Sequence, residues 1–366
     1  MKKSKVTARD VAKAAGVSPA TVSMILNNYS HVSFTEETRV KVLDTCEKLG
    51  YQTIGNRRLS FASGRILLIV CPSFANPHYI KEINGIQQRS QELGYETVIF
   101  CTNRSKDKEA VLVRVCRELQ VAGVILLYQP DNASAFRQLN MENQIVQLYD
   151  CAGSSDVSII QMDNFKIGRM IAKHLIGLGH EHIAYVSFPI TKTQPSRQRR
   201  IDGIKSYMQE MSLPPEECLK ICTVETLPVE TCGNLEGYET GYLLGSYLLD
   251  HNEQVTAFAA INDMVAYGIM DAVYAHGKKI PQDYSLCGCD NLPDSEYQKI
   301  SLTSVELFTE AKGQEAVTLL AQKIEAQSRN TSSFEGPVRI TRIEYAPKLI
   351  VRKSSGKCAR ILKGSS

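Results

Sequence analysis

Two sets of side chains in this 366-residue chain have types and spacing that could do chemistry. The first lies in the stretch GVSPATVSMILN, Gly16 to Asn27. Ser18, Thr21 and Ser23 carry short hydroxyls that can approach a phosphate closely and donate a hydrogen bond to it. Pro19, Ala20 and Met24 project where base edges would be read. Pro19 and Ala20 have no hydrogen-bonding side chain, so they could sense only thymine methyls or groove shape. The second set is spread over the rest of the chain. Asn76, Tyr79, Asp150, Asn262 and Asp290 each follow an apolar, strand-like run. Amides, carboxylates and a phenol gathered at strand ends can hydrogen-bond several hydroxyls of one small ligand. The competing explanation for each Asp or Asn is a helix N-cap, common where a strand turns into a helix. Asp263, which opens DMVAYGIMDAV, is explained at least as well that way.

The first set needs helices to position it, and the local sequence supplies them. Thr7 can cap a first helix, with Asp10 three places on completing a short capping box. Val11, Ala12 and Ala15 give that helix an apolar face. Gly16 breaks it, Val17 fills the corner, Ser18 is an N-cap and Pro19 suits a first helical position. Val22, Ile25 and Leu26 bury the second helix. A third helix is expected from near Ser33 or Thr35 to Gly50, with Val40, Leu43, Cys46 and Leu49 on its inner face. AKAAGVS, with a glycine between short helices, is a helix-turn-helix signature, whose second helix enters the major groove. Charge agrees. Residues 1–63 hold ten Lys/Arg against five Asp/Glu, and the remainder holds 32 against 34. A basic module on a near-neutral body suits a small part that meets a polyanion and a large part with another task. A hairpin used only for packing would not need the cap, the turn and the basic charge together.

The second set needs a different scaffold. From Arg65 onward apolar strands alternate with amphipathic helices: RILLIVCP, then IKEINGIQQRSQELG, YETVIFCT, DKEAVLVRVCRELQ as one helix, and AGVILLY. QIVQLYD, HIAYVSF, TAFAAIN and YSLCGCD continue the strands. This is βα repetition with parallel sheets covered on both faces. About ten strands are too many for one compact sheet, so two lobes are expected, with ligand beyond the carboxyl ends of the strands. The eleven cysteines are odd in number, and Cys71, Cys101, Cys116 and Cys287 sit in apolar runs. They read as small buried hydrophobes in a reducing cytosol. MKKSKVTARD has no apolar segment behind its charges, and no window approaches a membrane span, so a cytoplasmic location is expected.

Enzyme signatures are missing: there is no P-loop, no G-x-S-x-G elbow and no H-E-x-x-H. His174, His180 and His182 could be imagined around a metal, but His180 reads better as closing a helix and His182 as starting a strand. Cys287 and Cys289 flank a glycine within a strand, and burial explains them better than zinc. SRQRR could bind phosphate, with a solvated helix start as the default. No cofactor, metal or catalytic residue is expected.

On these residues the chain resembles the lac repressor/galactose repressor family of bacterial transcription regulators. The resemblance is carried by VTARDVAKAAGVSPATVSMILN and HVS…TRVKV…LGY, then by FANPHYIKEINGIQ, MDNFKIGRMIAKHLIGLGHEHIAYVS, RRIDGIKSYM, AINDMVAYGIMDAVYAHGKKIPQDYSLCGCDN, ISLTSV and APKLIVRKSS. These motifs run in order over about residues 6 to 355. The resemblance implies a small all-α helix-turn-helix head joined to an α/β core like that of periplasmic sugar-binding proteins, with two doubly wound parallel-sheet lobes, three chain crossings and a ligand cleft. It adds Thr7, Asn27, His31 and Ser33 to the DNA-contacting set. It places Arg200 on a helix facing the cleft with Ser196 one turn earlier, and puts Arg200 and Asp290 on the effector. Three features depart from the family pattern. Met24 stands where the family often has Arg, VSFTEETR carries two extra residues, and the linker reads YQTIGNRRLSF where the family tends to have Y-x-P-N-x-x-A-R-x-L. In the family this linker forms a hinge helix on DNA, and an apolar pair enters the minor groove. Here Leu59 or Phe61 could be the wedge, with Arg57 and Arg58 on flanking phosphates. Gly55, Ser60, Ser63 and Gly64 equally suit a flexible tether.

The expected organisation is a DNA-binding domain over 1–51, a hinge linker over 52–64, a core over 65–352 and a flexible tail over 353–366. The N-lobe is expected over about 65–163 and 292–328, and the C-lobe over about 164–291 and 329–352. The expected function is a repressor that binds a near-palindromic operator as a homodimer. A small molecule in the cleft, a sugar or sugar derivative, would control it.

Overall fold

The computed structural model describes residues 6–26, 34–49, 51, 65–149, 156–191, 194–226, 237–251, 254–329 and 340–359. It divides into two compact units, Met1–Ser63 and Gly64–Ser366. In the first, α1 spans Ala8–Ala15, α2 Pro19–Leu26 and α3 Glu36–Leu49. The caps are local chemistry. The Thr7 amide and hydroxyl both donate to Asp10 Oδ2, at 2.8 and 2.7 Å. Gly16 takes the left-handed conformation (φ 70°) that ends α1 without a Cβ penalty. The Ser18 hydroxyl accepts from the Thr21 amide at 3.0 Å and opens α2. Val11, Ala12, Ala15, Val22 and Ile25 then meet Val42 and Cys46 in one small core.

The inner face expected for α3 holds at Cys46 and fails at its other three positions. Val42 and Cys46 are buried, whereas Val40, Leu43 and Leu49 are exposed large hydrophobics. A strict three-residue spacing slips backwards by about 60° per step on a helix with 3.6 residues per turn, so it leaves the core face; a spacing of four holds that face better.

In the second unit β1 spans Ile66–Cys71, α4 Pro77–Glu92, β2 Glu96–Cys101, α5 Lys106–Ala110, α6 Leu112–Leu119, β3 Gly123–Leu126, α7 Ala133–Glu142, β4 Ile145–Gln147 and β5 Ser158–Met162. There follow α8 Asn164–Gly177, β6 Ile183–Val186, α9 Pro195–Glu210, α10 Pro215–Cys218, β7 Leu219–Cys222, α11 Gly237–His251, β8 Ala257–Ala260, α12 Asp263–Ala275, β9 Ser285–Cys289 and β10 Thr303–Glu306. The chain closes with α13 Thr309–Arg329, β11 Arg342–Tyr345 and β12 Lys348–Ile350. The strands form two six-stranded sheets, ordered β11-β5-β4-β3-β1-β2 and β12-β10-β9-β8-β6-β7. Among the described residues only β12 runs antiparallel to its neighbour. Each lobe therefore starts one strand in from the edge of its sheet, adds the edge strand and reverses, which leaves a crevice beyond the first and third strands. β1 and β3 are wholly buried, as parallel strands covered on both faces must be.

Three sequence expectations need correction. The first concerns the crossings. The chain passes between sheets near Asp163, as expected, but the other two crossings lie between β10 and α13 and between β11 and β12. β10 pairs with β9 in the C-lobe sheet, so residues 292–306 belong there. β11 pairs with β5, so residues 342–345 belong to the N-lobe. The loop after β9 looks like a boundary in sequence, yet the chain returns at once to the same sheet. The second concerns the tail. Residues 354–358 are built into the C-lobe: Ser354 donates to the Leu286 carbonyl at 2.6 Å, and Cys358 is buried. His180 fixes this segment, with Nε2 2.9 Å from Ser285 Oγ and 3.0 Å from the Gly356 carbonyl, and His174 Nε2 lies 2.8 Å from Ser355 Oγ. The third concerns the helix expected over DKEAVLVRVCRELQ, which breaks at Val111. Glu109 there turns inward and accepts from the Tyr128 hydroxyl at 2.5 Å and the Asn132 amide at 2.7 Å. Cys71, Cys116 and Cys287 are buried as expected and Cys101 half-buried. Burial pushes the Cys116 and Cys289 thiols up to about 12, which makes them inert.

Candidate functional site

In the head, α2 buries Val22 and Ile25 and turns its other side outward. Ser18, Pro19, Ala20 and Ser23 are exposed, and Thr21 and Met24 are half-exposed. Pro19, Ala20, Ser23 and Met24 share one helical face by their spacing. The Ser18 and Thr21 hydroxyls lie 2.8 Å apart, and Ser18 already caps the helix. Thr7, also exposed, has its hydroxyl on Asp10. Asn27, His31, Ser33, Arg57, Arg58 and Leu59 lie outside the described residues, as does Asp150 of the second set.

The other four residues of the second set, with the Ser196 and Arg200 that the resemblance adds, line one cleft between the lobes. Asn76, Tyr79, Ser196, Arg200, Asn262 and Asp290 border its inner part, with His78, Asn164, Arg197 and Lys312 among their neighbours. Asn76, Tyr79, Arg197 and Asn262 also border an outer part of about 700 Å³, together with Ser73, Asn103, Arg104 and Phe188. A cleft of this size lies in the range of small-molecule sites.

Several of these polar groups have an identifiable support. Asn76 and Asn262 do cap helices, accepting from the His78 amide at 3.0 Å and the Val265 amide at 2.9 Å. Capping uses only the amide oxygen, which fixes each side chain at the cleft wall. Arg200 is 8% exposed. Its Nε donates to Asn164 Oδ1 at 2.6 Å and its Nη1 to the Ile261 carbonyl at 2.5 Å. The helix that carries it is held by a close crossing: a Cβ on Gly168 would stand 2.0 Å from the Arg200 carbonyl oxygen, and one on Gly203 2.1 Å from that of Phe165. Asp263 is no cap. It is buried and binds the chain after β9, accepting from the Leu292 amide and Ser295 hydroxyl at 2.8 Å and from the Ser304 hydroxyl at 2.6 Å. Burial, with the nearby charge of Asp290, pushes its pKa up to about 6.

Asp290 itself sits at φ 123°, a strained value for a residue with a Cβ. Its Oδ1 is 3.1 Å from His78 Nδ1 across the cleft, and its Oδ2 is buried without a hydrogen-bond partner. Lys81 reinforces this crossing by donating to the Asn291 carbonyl at 3.1 Å. Burial opposes charge on His78, but Asp290 outweighs it and holds the imidazole pKa above its ordinary value. Lys312 is paired with the fully buried Glu82 at 3.4 Å.

Sequence reasoning missed His78, Arg104, Asn164, Arg197 and Lys312. Two had a signal. Arg104 follows strand YETVIFCT at its carboxyl end, and Arg197 precedes Arg200 by three residues on the same helical face. The default of a solvated helix start holds for Gln198 and Arg199, which are exposed, and fails for Arg197 and Arg200. His78, Asn164 and Lys312 carried none. Among the described residues no group of three or more His, Cys, Asp or Glu is placed to hold a metal ion.

A three-helix head with an outward second helix, followed by a two-lobed core with a polar cleft, defines the class of ligand-responsive DNA-binding proteins. Comparison with known proteins agrees. Residues 7–53 match the family model of bacterial regulatory proteins, lacI family, and residues 172–355 that of the periplasmic binding protein-like domain. The HTH-type transcriptional regulator DegA of Bacillus subtilis (strain 168) is 31% identical over 306 residues, covering 82% of this chain and 86% of DegA. The HTH-type transcriptional repressor PurR of Mannheimia succiniciproducens is 26% identical over 357 residues, covering 96% and 99%. Among solved structures, the complex of the transcriptional regulator CelR with cellobiose matches with a TM-score of 0.67 at 25% identity, covering 96% of this chain and all of that one. The chain belongs to the lacI family of bacterial regulatory proteins and is a DNA-binding transcriptional regulator. No helix among the described residues is long and apolar enough to cross a membrane.

Proposed function

We propose that the protein is a repressor that binds a near-palindromic operator as a homodimer in the cytoplasm, and that a sugar or sugar derivative in the interlobe cleft controls its affinity for DNA. One observation carries the effector half of this reading: groups from both lobes face a single cleft in which the Asp290 carboxylate keeps a buried oxygen without a partner. A ligand hydroxyl supplies the missing donor, while Asn76, Asn262 and Arg200, fixed by their other bonds, read its neighbours. The cellobiose held by CelR supports a polyol, and the name of PurR supports repression. An eight-residue reading helix spans only a few base pairs, so two copies on two half-sites are needed for a specific site.

Ser18, Thr21 and Ser23 sit against phosphates and Pro19, Ala20 and Met24 against base edges. Thr7, Asn27, His31 and Ser33 add contacts, and Arg57, Arg58 and Leu59 meet the adjacent backbone and minor groove. Asp150 completes the ligand set. Coupling arises because the ligand binds one arrangement of the lobes better than the other. The test joins a thermal-shift screen against sugars with operator binding at two salt concentrations. A stabilising sugar that alters operator affinity, and DNA binding that falls steeply with salt, are expected. Salt-insensitive binding to a specific site overturns the basic-head reading. A screen without any stabilising polyol overturns the effector reading.

A further inference from the structure

The outer part of the cleft has a charge that its neutral polar groups do not explain. Two guanidinium groups line it, Arg104 from the N-lobe and Arg197 from the C-lobe, and no carboxylate does so among the described residues. Both are mounted on aromatic rings. Arg104 lies 4.8 Å from the centre of the Tyr128 ring, and Arg197 lies 5.2 Å from that of Phe188. The Tyr128 platform is itself held, its hydroxyl 2.6 Å from Thr102 Oγ1 and bonded to Glu109. Arg197 is tethered by donation from Nη1 to the Pro189 carbonyl. Neither cation is well neutralised. Asp131 stands 3.9 Å from Arg104, whose buried Nη1 has no hydrogen-bond partner, and Arg197 has no ion-pair partner among the described residues. Deeper in the cleft Arg200 adds a third cation. Burial above all, with the charges of Arg104 and then Arg200 adding to it, lowers the pKa of Arg197 to about 10.

We propose that the effector is a phosphorylated sugar, with its phosphate bridging Arg104 and Arg197 at the mouth of the cleft and its hydroxyls on the deeper groups; this rests on the sugar reading above. A neutral polyol would satisfy Asn76, Asn262 and Asp290 but bring no negative charge to the two ring-stacked guanidiniums that line the outer cleft. Guanidinium forks bind phosphate oxygens in pairs. A phosphate monoester brings up to two negative charges and three terminal oxygens to two cations on opposite sides, whereas a carboxylate brings one charge. Because the two arginines come from different lobes, the phosphate also draws the lobes together, which supplies the differential affinity that control of DNA binding requires.

The test is calorimetric titration of the full chain with matched sets: pentoses and hexoses, their phosphate monoesters, the corresponding sugar acids, and inorganic phosphate. A phosphate ester should bind tighter than its parent sugar, and high salt should narrow the difference. Arg197→Gln and, separately, Arg104→Gln should each weaken the ester by about tenfold or more while changing the parent sugar little. Both side chains are half-buried and stand on separate elements, so the Arg104→Gln variant keeps the test available if Arg197→Gln unfolds. A parent sugar that binds as tightly as its ester overturns this inference and leaves the sugar reading intact. A preference for sugar acids, or ester binding unchanged in both variants, overturns the phosphate assignment. No binding by any member of the panel overturns the sugar reading itself.

Discussion

The reading face of α2 and the cleft between the lobes are built on opposite terms. The face in the head is exposed, small and nearly neutral, and its hydroxyls are tied to one another or to Asp10 by bonds that span three residues. The cleft is half-buried and densely charged, and its contacts join residues far apart in sequence, such as His78 with Asp290 and Arg200 with Ile261. A site made by one local element can be altered without disturbing the fold. A site made where several elements converge cannot. Specificity for DNA and response to ligand should therefore fail in different ways when mutated.

The strongest way to expose that difference is Gly168→Val. Its side chain would collide with the Arg200 carbonyl at the α8–α9 crossing. A loss of about 3 kcal/mol from the core, read by calorimetry, is expected, together with loss of ligand response; an unchanged melting transition would mean the crossing is not tight. Next is Arg200→Met, which leaves Asn164 and the Ile261 carbonyl without their donor in a buried setting. It should cost about 1–3 kcal/mol of stability and weaken ligand by about tenfold or more. Ala20→Glu tests the other region. The side chain is exposed, so stability should stay within about 0.5 kcal/mol, while operator affinity in a mobility-shift assay falls by about 10- to 100-fold. A drop in melting temperature equal to that of Arg200→Met would erase the distinction between the two regions.

Smaller effects sharpen it. Ser18→Ala removes the cap of α2 and should destabilise the head by about 1 kcal/mol, with ligand affinity unchanged by titration. The least effect is that of pH on the cleft. The pKa of His78 lies above its ordinary 6.5, chiefly through Asp290 against the cost of burial, with Glu82 adding to it and Lys312 opposing. Its contribution is fully present below about pH 6.5 and is lost as pH rises through the raised pKa. Stability followed by denaturant titration should decline slightly over that window in the wild type and stay flat in His78→Gln. An identical slope in both would remove His78 from the crossing.

How much of this was legible follows from the range of each interaction. Thr7, Gly16, Ser18 and Pro19 specify caps and a corner within a few residues, and the structure shows those elements where the sequence puts them. The inner face of α3 was misread because its pattern was counted in steps of three. The βα alternation and two lobes were plain from apolar runs, but the crossings were not: β10 and β11 carry no mark of which sheet they join. Six of the strand-end and helix-borne residues share the cleft, and Arg104 and Arg197 were within reach of the same rules. Lys312 was not, since α13 comes to the cleft through its packing on α4 and on the N-lobe sheet, from far along the chain.

Caps, turns and hydrophobic period act over one or two turns of chain, so the order of residues already specifies a capped helix-turn-helix ahead of an α/β core with polar groups beyond its strands. Tertiary structure alone decided that His78 meets Asp290, that Arg200 rests on Asn164 and Ile261, and that Arg104 and Arg197 face the same space. Those pairings depend on how two separately wound sheets are brought together, and no local period in the chain encodes that distance.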